Sequence, residues 1–176
     1  MDFSKLKRVT LVAHEFARQH FCWLESLKYE DVPGTLPILI CNNFFDIALL
    51  NWSHLFGNLK DNLHFKNVLS DPETLKSTIQ NKLSMDQAGW ENHWKLLKDF
   101  RDQRVAHIDP VKIITVPDLE IAFKCICEYY DVARTELRAQ QQTLSLDSYQ
   151  SLQEFVERNA DYYTTDIAKL FNAIKT

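Results

Sequence analysis

Apolar residues recur at three- and four-residue steps along most of this chain. Phe3, Leu6, Val9, Ala13, Phe16, His20, Trp23 or Leu24, and Leu27 form one stripe, which predicts a long helix from about Phe3 to Lys28 with a single buried face. Tyr29 to Pro37 carries Pro33, Gly34 and Pro37 and predicts a loop. Thr35 can cap a second helix, with Pro37 in its first turn, running to about Asn58. Its apolar residues, from Ile38 through Phe45 and Leu49 to Phe56, cover most of the circumference, so the expectation is a helix surrounded by others. Ser70-Asp71-Pro72-Glu73 reads as a capping box opening a short helix to about Leu83. Ser84-Met85-Asp86-Gln87 repeats the pattern and opens a helix through Trp90, Trp94, Leu97 and Phe100 toward His107. Asp109-Pro110 ends it, because a residue before proline is pushed out of the helical region. Ile113 to Val116 is the only strand-like run. A long helix follows from Pro117-Asp118 to about Gln142, then a last one from about Asp147 to Ile174, whose sequence admits a kink near Asn159 to Thr165.

These elements predict an all-α fold: an up-and-down helical bundle of four to five long helices plus short ones. One domain is expected over residues 1–176, with a core over about 1–142 and a C-terminal helical extension over 147–176. Composition supports this. Three glycines and five prolines in 176 residues leave few turns, and sheet-rich folds need many. Gly34, Gly57 and Gly89 cannot be assembled into a glycine-rich phosphate loop, nor into a serine nucleophile elbow. The first residues offer no uninterrupted apolar run, and the longest apolar stretch, Leu36 to Phe56, is broken by Asn42, Asn43, Asp46, Asn51, Ser53 and His54. Neither a signal peptide nor a membrane span is predicted, and the expected setting is the cytoplasm. Cys22, Cys41, Cys125 and Cys127 show no framework spacing and are expected to be reduced core residues. Trp90 with Trp94, Tyr129-Tyr130 and Tyr162-Tyr163 read as core or interface rather than as a base-stacking surface.

Functional side chains gather most densely where the fourth predicted helix ends. Lys95, Lys98, Arg101, Arg104 and His107 fall within thirteen positions, interleaved with Asp99 and Asp102. A plain reading exists: cations near a helix C-terminus favour the macrodipole, and the aspartates pair with them on the surface. Arg101 and His107, six apart, lie about 120° from each other on an ideal helix, whereas Arg104 and His107 share a face. Arg101 and His107 can still converge, because the last turn before Asp109 is free to unwind and arginine is long enough to reach around.

The segment F-R-D-Q-R-V-A-H-I-D, with Arg101, Asp102 and His107, resembles the R-x(4-6)-H signature of the HEPN superfamily, in which a polar residue follows the arginine. Trp52-Ser53-His54-Leu55-Phe56-Gly57 and His93-Trp94 are similar to an abortive-infection, AbiU-like branch of these all-α proteins. The resemblance implies a metal-independent endoribonuclease that needs no cofactor, acts on single-stranded RNA as a homodimer, and serves in phage defence or beside a cognate antitoxin. It casts His107 as general base or acid, Arg101 as phosphate clamp and Asp102 as the residue orienting one of them. Arg104, Lys98 and His93 are the candidate substrate-binding residues. Asp109 stands two positions after the histidine, where the nucleotidyltransferase-paired toxins carry tyrosine, so that branch is not supported. A net charge of -4 offers RNA no general attraction and leaves recognition to a local patch. The competing reading is a non-catalytic helical module that binds a nucleotide, RNA or another protein.

Overall fold

A computed structural model of the chain describes residues 2–106, 116–139 and 149–175. It is an all-α helical bundle, with seven α-helices and no strand among the described residues: α1 Phe3–Ser26, α2 Thr35–Trp52, α3 Phe65–Val68, α4 Pro72–Lys82, α5 Gln87–Arg101, α6 Glu120–Ala139 and α7 Leu152–Ile174. The strand-like run at 113–116 and the end of the helix expected to reach Gln142 fall largely outside the described residues. Helix α7 is continuous through 159–165.

Helix α1 is central, packing against α2, α6 and α7. Leu6, Val9, Ala13 and Phe16 of α1 meet Phe45, Leu49 and Trp52 of α2 and Ile126, Tyr129 and Ala133 of α6 in one core, which Leu97 and Phe100 of α5 and Leu152 and Phe155 of α7 also enter. A smaller cluster of Cys22, Val32, Ile167 and Phe171 fastens the far end of α7, where Tyr29 stacks on Phe171 at 4.7 Å. Helix α2 departs from expectation. Leu36, Ile38, Leu39, Ile47 and Leu50 are exposed, because α1, α5 and α7 cover other parts of the helix and no described element covers these residues.

Two helix starts also differ from the predicted boxes. Asp71, not Ser70, caps α4, accepting from the Thr74 N–H at 3.1 Å, with Pro72 in the first turn. Asp86, not Ser84, caps α5, accepting from the Gly89 N–H at 2.7 Å. Ser84 is taken by the previous element. It adopts φ 49°, and the Met85 and Ser84 N–H groups close α4 by donating to the Gln80 and Asn81 carbonyls at 2.8 and 3.2 Å.

Two wide π-helical turns frame the candidate site. One, Ser53–Gly57, continues α2; the other, Asp102–Ala106, continues α5. Such turns insert one residue into the helical ladder and re-aim the side chains around it.

Candidate functional site

Arg101 is the last residue of α5, and its side chain ties the two π-turns together. Nη1 donates to Ser53 Oγ in the turn after α2, while Nε donates to Asp102 Oδ1 at 2.8 Å and Nη2 to the same oxygen. Only 18% of the side chain is exposed, so the guanidinium is held in place rather than free in solvent. These bonds use three of its five N–H groups. One helical turn earlier, Lys98 Nζ donates to the other carboxylate oxygen of Asp102 at 2.7 Å. Burial alone would raise the Asp102 carboxyl. The hydrogen bonds from Lys98 and Arg101 outweigh it and hold the group below its ordinary value, so Asp102 is an anion at neutral pH.

Arg104 turns toward α2. Its Nε lies 3.2 Å from Asp46 Oδ1 and its guanidinium 5.6 Å from the Phe100 ring centre. Burial pushes the Asp46 carboxyl up, with Arg104 pulling against it.

The π-turn on α2 is fixed from behind. The Phe56 carbonyl accepts from Trp94 Nε1 at 2.7 Å and from His64 Nε2 at 3.0 Å. His64 Nδ1 accepts from the Lys66 N–H at 3.2 Å, so its proton sits on Nε2, and burial lowers its pKa and keeps the ring neutral. Gly57 closes the turn where a Cβ would lie 2.7 Å from Trp52 Cζ3 and 3.2 Å from Ser53 Oγ. On its outer side the same turn presents His54, whose Nδ1 lies 2.6 Å from Asp61 Oδ2 at an exposed position.

Of the residues expected at the site, the structure brings Lys98, Arg101 and Asp102 together and sets Arg104 beside α2. His107 lies outside the described residues. His93 does not join Arg101: it lines a crevice of about 10 Å³ with Trp52, Phe56, Trp90, Trp94 and Cys125, too narrow for a nucleotide. Its Nε2 is buried without a hydrogen-bond partner among the described residues, and burial lowers its pKa. Sequence reasoning missed Ser53 and Asp46 as parts of the site. The quoted segment around Ser53 was the available signal, and nothing local marked Asp46.

Next to Lys98 opens a cavity of about 570 Å³, with Phe56, Phe65, Trp90 and Trp94 among its walls and Lys66, Lys76, Lys95 and Lys98 around it. Among the described residues no group of His, Cys, Asp and Glu is placed to hold a metal ion, and no helix is long and apolar enough to cross a membrane. All four cysteines are free, and burial raises the Cys125 and Cys127 thiols to about 12. No protein-family model, curated protein or solved structure matches the chain.

Proposed function

We propose that this protein is a metal-independent endoribonuclease of the HEPN type that cuts single-stranded RNA. The observation that carries the reading is the Arg101 guanidinium, fixed by Ser53 and Asp102 at the junction of two π-turns. A guanidinium so held is organised in advance to stabilise charge on a phosphate. In the reaction the 2′-oxygen attacks the adjacent phosphorus, forming one O–P bond while the bond to the 5′-oxygen breaks. His107 takes the 2′-hydroxyl proton, and the departing 5′-oxygen gains a proton from an acid such as the second histidine of a dimer. Lys98 and Arg104, each paired with an aspartate yet partly open to solvent, supply local positive charge that the net charge of -4 does not.

The exposed stripe on α2 supports a homodimer. At about 100° per residue, Leu36, Leu39, Asn43, Ile47 and Leu50 fall within a sector of about 80°, and Asp46, the partner of Arg104, borders it. A second copy seated there would bring two motif ends toward one cleft. A role in phage defence or beside a cognate antitoxin belongs to the same reading.

A second reading rests on Asp102. It pairs with Lys98 and Arg101 at once and offsets one of their two charges, as expected of a helical module that binds RNA or protein without cutting. RNA cleavage in the presence of EDTA separates the two. The nuclease predicts cutting by the wild type and none by His107→Ala with its helical content intact; the module predicts none by either.

A further inference from the structure

The cavity beside α5 is built unlike an ordinary helix-packing gap. Its walls are aromatic, and its surroundings are cationic. Trp90 and Trp94 are half-buried, and Trp94 is locked by its bond to the Phe56 carbonyl, so its ring cannot swing away. Trp90 meets Phe56 and Phe65 at 6.2 and 6.5 Å, close to edge-on, which braces it from within. Four lysines lie around the opening against two acids, Glu91 and Asp99. Lys76 has no ion-pair partner among the described residues, and Lys66 makes a long 3.6 Å ion pair with exposed Glu73 while its ammonium lies 5.9 Å from the Phe65 ring centre. A volume of about 570 Å³ lies within the usual range for small-molecule sites. Flat π faces with phosphate-seeking cations at the mouth are what a nucleotide unit requires.

The cavity also shares one residue, Lys98, with the Arg101 site. Lys98 lines the cavity and donates to Asp102, which holds Arg101. We propose that this cavity receives one base of the single-stranded RNA, stacked on Trp90, with the flanking phosphates on Lys76 and Lys66 on one side and Lys98 and Arg101 on the other. The assignment rests on the ribonuclease reading and names where that enzyme grips its substrate. It also gives a role to the tryptophan pair, whose helical spacing alone pointed to core packing.

Binding of a fluorescent single-stranded RNA decamer to the full chain in EDTA, followed by anisotropy, tests the proposal. Trp90→Leu keeps the position apolar and removes the stacking face, and is expected to weaken binding about tenfold or more. Lys76→Ala changes a residue at the cavity edge and is expected to weaken binding several-fold and reduce the salt dependence by about one phosphate contact. Should Trp90→Leu fail to fold, Lys76→Ala and Lys66→Ala decide. If the wild type binds and all three variants bind as tightly, the cavity assignment is overturned while the nuclease reading stands. If binding depends on Trp90 and Lys76 but no RNA is cut, the cavity assignment stands and the nuclease reading falls. No binding by the wild type removes both. AMP bound as tightly as the decamer would make this a free-nucleotide site and overturn the assignment to a strand.

Discussion

Gly57 carries much of the local geometry on one missing carbon. A Cβ there would lie 2.7 Å from the Trp52 ring, and Trp52 is 2% exposed within the core, so the ring has nowhere to retreat. Gly57→Ala is expected to lower stability by about 1–3 kcal/mol, the usual cost of overpacking. Because Ser53 Oγ is the other close neighbour, the substitution should also loosen the bond that holds Arg101. A urea titration checks the first effect, and an unchanged midpoint would show that the turn relaxes freely. At this scale the sequence revealed what lies within one helix. Lys98, Arg101 and Asp102 meet because three- and four-residue spacing places them together. Ser53 and Asp46 reach the site through the packing of α2 against α5, which no periodicity encodes.

At the scale of elements, the helices were legible from their apolar spacing, and their ends less so. Ser70 beside Asp71, and Ser84 two before Asp86, offer rival caps that local pattern cannot rank. The structure uses Ser84 as the left-handed residue closing α4, a position glycine would favour and this glycine-poor chain fills with serine. Helix α2 is the larger lesson. Its apolar circumference predicted burial on all sides, yet one side faces outward, because the pattern does not distinguish a core neighbour from a second copy. The proposed dimer makes that side an interface. Leu39→Glu combined with Ile47→Glu should leave the helical content intact and shift the protein from dimer to monomer in sedimentation; a wild type that sediments as a monomer would remove the interface.

For the whole molecule, burial of histidines sets the response to pH. His14, His20, His64 and His93 all have pKa values pushed below the ordinary 6.5 by burial, so the folded protein holds them neutral. His14 is held by a 2.7 Å contact from Nδ1 to the Thr10 carbonyl, with Tyr130 Oη 3.3 Å from Nε2. Near pH 6.5 the unfolded chain binds more protons at these sites than the folded chain, so stability is full above that value and is lost as pH falls through it. Asp46, Asp131 and Glu136, raised by burial from ordinary values of 3.8, 3.8 and 4.5, act in the opposite sense from those values upward. The urea midpoint should therefore fall between pH 7.5 and pH 6, with proton uptake on unfolding; a midpoint that rises over that interval would contradict this.

Arg101 and His107 are proposed to cut RNA without a metal. Single-turnover cleavage of single-stranded RNA in EDTA measures it most directly. The expected result is cleavage by the wild type, a loss of about a hundredfold or more in Arg101→Ala as a transition-state donor is removed, and no detectable cleavage by folded His107→Ala. Cleavage that survives His107→Ala, or a wild type that binds RNA and leaves it intact, would contradict it.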